Sequence, residues 1–159
     1  MSEKRLISPQ GAQAVRREAE ALYHTERPRV VNQVAAAAAE GDRSENAEYI
    51  YGKKRLREID KRLEFLGKVL DEMVVCQPPT AVDKVVFLSW VTIEDNEGKS
   101  RAVRIVGQDE TDAKVGCISW RSPVGRALLN KKVDDAVTAE TPGGLVEYTI
   151  LEIRTTPPA

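Results

Sequence analysis

The chain has 159 residues, 42% hydrophobic and 31% charged, and 24 Lys plus Arg set against 25 Asp plus Glu leave a formal charge of −1. That composition supports a folded core and argues against a disordered tail, and no stretch approaches the roughly 20 apolar residues that span a bilayer. The start, MSEKRLISPQ, has no apolar signal core, so a cytoplasmic protein without membrane partners is expected, while two cysteines outside any CxxC spacing and a single histidine argue against disulfide scaffolds, thiolate metal sites and His-based catalysis.

From about Pro9 to Ala39 the sequence predicts a helix. Ala12, Val15, Ala19 and Leu22 step by 3, 4, 3, and Val30, Val34 and Ala38 step by 4, 4 beyond Pro28. The change of step near Pro28 implies a stutter or a local kink. The alanine run 35–39 adds helix propensity and permits close approach of a neighbour. Residues 40–45 then form a short acidic turn. Leu56, Ile59, Leu63, Leu66, Leu70 and Met73, spaced 3, 4, 3, 4, 3 and extended backward by Tyr49, mark a second helix with a coiled-coil seam. So short a connection forces the two helices antiparallel, and arms of about 30 residues would reach roughly 45 Å. Such a finger suits insertion into something larger.

A Pro pair in Cys76–Thr80 ends helical continuation and marks a seam. Residues 1–75 hold no Trp and two Pro, whereas 76–159 hold both Trp and six Pro. The expected domains are 1–76, a linker 77–82, and 83–159. In the last, Val85–Ile93, Arg101–Val106, Lys114–Trp120, Val133–Ala139 and Leu145–Ile153 read as strands. A short helix follows Ser122 as N-cap, with Pro123 at its first position. The fold class is therefore α+β: an antiparallel helical hairpin followed by a small antiparallel sheet carrying one helix.

Chemistry concentrates at the turn. Glu40, Asp42, Glu45 and Glu48 against Arg43 carry a local charge of −3. The plain explanation is a capping box, because Asp42 and Glu45 have D-x-x-E spacing and acids favour a helix start. The functional explanation is a shared metal. Two carboxylates cannot close a site alone, but a hard cation such as Mg²⁺ takes one or two of them and fills its shell with waters and phosphate oxygens. Behind the turn, Lys53, Lys54, Arg55, Arg57, Lys61 and Arg62 against Glu58 and Asp60 give +4 over ten residues. They lie off the apolar seam, as a solvated face with flanking ion pairs or as a surface for phosphates. His24 reads as a surface or seam residue, Tyr49 and Tyr51 as packing residues, and Cys76 and Cys117 as free buried thiols. Phe87, Trp90, Trp120 and Tyr148 read as core or edge residues of the sheet.

The run Gly41–Tyr49 (GDRSENAEY), followed by Lys53–Asp60 (KKRLREID), resembles the bacterial Gre transcript-cleavage factors, and most closely their GreB type. Ser119–Leu129 (SWRSPVGRALL), with Asp134-Asp135 after it, resembles the same family's C-terminal motif, and Glu26-Arg27-Pro28 is similar to a GreB-type element. The resemblance implies a coiled coil that enters the secondary channel of RNA polymerase and an FKBP-like domain that docks on the channel rim. Ser122, Pro123, Asp134 and Asp135 are the matching docking positions. It implies that Asp42 and Glu45 hold a second, weakly bound Mg²⁺ and its attacking water, with Ser44 assisting, while polymerase supplies the first metal. Hydrolysis by two metals needs one ion to activate water and one to stabilise the leaving oxygen. The basic stretch would meet the nascent RNA extruded by a backtracked complex. The expected function is stimulation of the polymerase's own RNA cleavage by a monomeric factor that is not itself a nuclease. A channel-plugging inhibitor would lack or misplace the tip acids. A peptidyl-prolyl isomerase would need an aromatic-lined pocket, which four scattered aromatics fit poorly.

Overall fold

The computed structural model describes residues 4–41 and 46–158. Contacts divide the chain into two compact units, Ala12–Glu72 and the pair Met1–Gly11 with Met73–Ala159. Residues 73–76, read from sequence as the end of the helical domain, thus belong with the C-terminal unit.

In the helical unit, α1 (Pro9–Ala21) runs into a π-helical turn (Leu22–Glu26) and then α2 (Arg27–Ala39), and α3 (Ala47–Glu72) returns. The expected irregularity near Pro28 is this π turn. Proline has no N–H to offer the carbonyl four residues back, and its ring crowds that carbonyl. One wider turn relieves the conflict, closed by Arg27 N–H donating to Leu22 O, five residues back. Burial records the inserted residue. Val15, Leu22, Val30 and Ala37 are buried at steps of 7, 8 and 7, whereas Gly52, Ile59 and Leu66 on α3 keep steps of 7. Leu22 and Val30 therefore face the same way only because one extra residue lies between them. The two arms touch closely at Gly52, where an added Cβ would lie 2.7 Å from Val34 Cγ2.

On α3 the seam differs from its sequence reading in two places, and on α2 Ala37 is buried in place of Ala38. Val69 is fully buried while Leu70 is half-buried, and Met73 is not helical at all. Met73 opens β2 (Met73–Val75), whose β-branched Val74 and Val75 suit an extended chain and pair in parallel with β1 (Arg5–Ile7).

The C-terminal unit holds β3 (Trp90–Asp95), β4 (Ser100–Val106), β5 (Cys117–Ser119), α4 (Pro123–Leu128), β6 (Ala136–Thr141) and β7 (Gly144–Arg154). The sheet order is β5-β4-β3-β7-β6. All neighbours are antiparallel except β4 and β5, which pair in parallel and so depart from the purely antiparallel expectation. Three strands start later than their apolar runs. Leu88 at φ 71°, together with the Ser89 hydroxyl donating to Val86 O at 2.7 Å, hooks the chain before Trp90. A 3-10 turn at Ala113–Val115, capped by Asp112, takes the front of the run that becomes β5, and Asp134 at φ 74° delays β6.

Val91 and Ile93, Val103 and Ile105, Val137 and Ile150 alternate inward and close with Val85 and Leu128 into one core. Ile150 and Ile153 both pack there although three residues apart, an odd step that would place them on opposite faces of a regular strand. A bulge resolves the parity: Thr92 pairs with Glu152 and Ile93 with Ile150, leaving Leu151 as the extra residue.

Candidate functional site

The helix that carries the basic stretch begins at Ala47, and its cap is Asn46. Asn46 Oδ1 accepts the Tyr49 N–H at 3.1 Å, and its Nδ2 donates to Ala37 O at 2.7 Å. One side chain thereby caps α3 and ties it to the last turn of α2. The capping role that the D-x-x-E spacing offered to Asp42 and Glu45 is filled by a different residue. Asp42, Arg43, Ser44 and Glu45 themselves lie outside the described residues.

The six predicted RNA-binding cations separate into two groups. Arg55 is ion-paired across the hairpin to Glu26 and, at 3.4 Å, to Glu58 on its own helix. Arg62 pairs with Glu18 at 2.6 Å and lies 5.2 Å from the Phe65 ring centre. Lys53, Lys54, Arg57 and Lys61 are exposed and hold no ion pair among the described residues. Lys53, Arg57 and Lys61 recur every four residues, and Lys54 lies beside Lys53, one residue farther from the turn, so these cations form one stripe along α3. Asp60, the remaining acid of the stretch, is taken by Arg27 at 2.7 Å. Glu58 and Asp60 are both engaged by arginines, so neither is left to pair with the stripe.

These pairs register in the proton affinities. Hydrogen bonding from Arg62 lowers the Glu18 carboxyl against an opposing effect of burial, and hydrogen bonding from Arg27 lowers that of Asp60 in the same way. Hydrogen bonds to Asp60 and Glu26 raise Arg27 and Arg55 respectively. His24 is exposed, edge-on to Tyr23 at 4.9 Å, and Tyr51 is 71% exposed where packing was expected.

In the C-terminal unit the four predicted docking residues also differ in availability. The Ser122 hydroxyl accepts the Gly125 N–H at 3.1 Å and donates to Ser119 O at 2.7 Å, so it is spent as the N-cap of α4. Asp135 Oδ2 accepts the Lys132 N–H at 2.8 Å. Pro123 and Asp134 are exposed, and the Asp134 carboxylate has no partner among the described residues. Gly125 is dictated by its neighbours, because a Cβ there would lie 2.2 Å from Ser119 O. Phe87, Trp120 and Tyr148 pack against the sheet core as expected. Cys76 and Cys117 are free but half-buried, not buried, and burial pushes the Cys117 thiol up.

A second polar centre escaped the sequence reading. Glu110 accepts the Ser8 N–H at 2.8 Å, the Gly107 N–H at 3.0 Å and the Ser8 hydroxyl, while Ser8 Oγ accepts the Gly11 N–H at 3.0 Å to cap α1. Beside it Arg5 Nη1 donates to both carboxylate oxygens of Asp109, at 2.9 and 3.0 Å. These partners are about a hundred residues apart in sequence, and no local pattern announces them.

Among the described residues no helix is long and apolar enough to cross a membrane. Comparison with known proteins covers both halves of the chain. The model "Transcription elongation factor, N-terminal" matches residues 5–75, and "Transcription elongation factor, GreA/GreB, C-term" matches residues 79–155. Transcription elongation factor GreB of Yersinia pestis is 51% identical over 99% of this chain and 92% of its own length, and GreB of Pseudomonas aeruginosa is 48% identical over 96% and 91%. The crystal structure of GreA factor homolog 1 (Gfh1) from Thermus thermophilus aligns over 96% of this chain and 99% of its own at 21% identity, with a TM-score of 0.45. With both family models matched in order and relatives near half identity over almost the whole length, the chain belongs to the GreA/GreB family of transcription elongation factors.

Proposed function

We propose that this protein binds RNA polymerase and stimulates the polymerase's intrinsic cleavage of backtracked nascent RNA, so that arrested complexes resume. The observation that carries the reading is the stripe of Lys53, Lys54, Arg57 and Lys61, which hold no ion pair among the described residues, on the helix that starts directly after the acidic turn. Cations held a few turns behind an acidic tip can engage RNA phosphates and lead the transcript end toward it. Arg55 and Arg62, tied to glutamates, contribute less to that contact. Pro123 and Asp134 supply the free part of the docking surface on polymerase, and Ser122 and Asp135 shape the segments that present them.

Among the described residues no group of three or more His, Cys, Asp or Glu side chains could hold a metal. The donor set at the turn suits a shared ion: Asp42 and Glu45 offer hard oxygens for Mg²⁺, two ligands of a shell that the partner must complete. When bound, such an ion activates water for phosphodiester hydrolysis. The chain's own part is to deliver the two carboxylates, with Ser44 as a hydrogen-bonding neighbour. The intact pair disfavours a pure inhibitor.

The test is a stalled ternary complex with labelled transcript and Mg²⁺. Asp42→Ala and Glu45→Ala are each expected to abolish stimulated cleavage while leaving polymerase binding nearly intact. Equal loss of both properties, or RNA degradation by the purified protein alone, contradicts the reading.

A further inference from the structure

The motif Glu26-Arg27-Pro28 has no part in the stripe or the tip, yet it sits where the two arms of the hairpin fall out of step. The first arm carries one residue more than a regular heptad helix between Leu22 and Val30, and that residue is stored in the π turn Leu22–Glu26. The return arm has no such insertion. Were the turn to relax into α-helix, everything beyond it on the first arm would rotate by about 100° and shift by about 1.5 Å relative to α3. Val30 and Ala37 would leave the seam, and α2 would reach the turn in a different phase. Pro28 favours the π turn from one side. Immediately at its end, consecutive residues make opposite ion pairs to the facing helix: Glu26 to Arg55, and Arg27 to Asp60 at 2.7 Å. A shifted first arm would break both.

We propose that Glu26 and Arg27 are positioning residues that, through Arg55 and Asp60, lock the extra residue in the π turn and so set the axial register with which the hairpin presents its turn. The inference rests on the function proposed above for its consequence, though not for its geometry. The lock works by specificity more than by strength. Arg27 and Asp60 are 38% and 49% exposed in their side chains, and exposed pairs stabilise little. Charge complementarity nevertheless penalises every register that puts like against like, as flanking charges do in coiled coils.

The test uses Arg27→Asp, Asp60→Arg and the double exchange in the full chain. Each single reversal is expected to slow maximal stimulated cleavage roughly tenfold to hundredfold, the range a small misplacement costs, at unchanged polymerase affinity, and the double exchange to restore it. An arginine that contacted RNA from position 27 would not be rescued by an arginine at position 60, so persistent loss in the double variant overturns the proposal. So does wild-type cleavage in both single variants. Spin labels at Gln33 and Tyr51, in a background with Cys76 and Cys117 replaced by Ser, read the register of the free protein. Both single reversals should change the dipolar broadening and the exchange should return it; unchanged broadening overturns the lock. If the wild-type protein fails to stimulate cleavage, the functional reading falls, and the labels alone decide the lock.

Discussion

The helical unit and the β unit solve the same problem with opposite economies. The hairpin buries a narrow line of residues, Val15, Leu22, Val30 and Ala37 with Gly52, Ile59, Leu66 and Val69, and leaves most of its surface to charge. The β unit gathers Val85, Val91, Ile93, Val103, Ile105, Leu128, Val137 and Ile150 around a common centre. A line of contacts can be read off one period, and it leaves one whole helical face free for chemistry. A centre needs several strands at once and leaves only isolated residues such as Pro123 and Asp134 exposed around it. The difference teaches that exposed charge on the hairpin is not uniform: among the described residues Glu18, Glu26, Arg27, Arg55, Asp60 and Arg62 bridge the arms, whereas Lys53, Lys54, Arg57 and Lys61 hold no ion pair.

Substitutions can break this contrast. The largest effect should come from Leu128→Ala, which opens a cavity where α4 meets the sheet and should cost about 2–5 kcal/mol. Urea unfolding followed by tryptophan fluorescence reads it, since Trp90 and Trp120 both lie in the β unit. Loss of under 1 kcal/mol would mean that α4 is not part of a common core. Leu66→Ala should cost a similar amount at most, near the lower end because the seam is open on both sides, and it should reduce far-ultraviolet helicity first. Asn46→Ala removes the cap of α3 and its tie to Ala37 and is expected to lower stability by about 0.5–2 kcal/mol, measured by thermal melting of helicity. Asn46→Asp keeps the acceptor and should recover only the capping part. Lys54→Ala with Arg57→Ala should leave stability within about 0.5 kcal/mol and reduce the salt dependence of RNA contact by about one per lost phosphate contact. An unchanged salt slope would remove the stripe from the RNA pathway.

The smallest effect concerns pH. Glu18 and Asp60 have folded-state affinities for protons lowered by Arg62 and Arg27, so their pairs stabilise fully above the ordinary carboxylate values of 4.5 and 3.8 and are lost as pH falls through the lower folded-state values. Being about half exposed to screening solvent, each pair should contribute little. Acid titration of Glu18→Gln against the parent should show a shallower loss of helicity below that range, and identical curves would make the Glu18–Arg62 pair energetically silent.

How much was legible depended on the distance over which each signal acts. The helices, the short α4 with its Ser122 cap, the strand runs and the disturbance near Pro28 follow from neighbours three, four or two residues apart, so composition and spacing alone specified them. The family resemblance likewise rests on two contiguous motifs. Spacing could not separate Arg55 and Arg62 from Lys53, Lys54, Arg57 and Lys61, because their glutamate partners stand about thirty to forty residues away on the other arm. Nor could it show that Met73 leaves the helix to pair with Arg5, that Leu151 bulges to bring Ile150 and Ile153 to one face, or that Glu110 gathers Ser8 and Gly107. Periodicity specifies which side of an element is apolar. Only the packed chain decides which charges are neutralised, which strand edges meet and where an inserted residue is absorbed, since those outcomes depend on groups that become neighbours through folding.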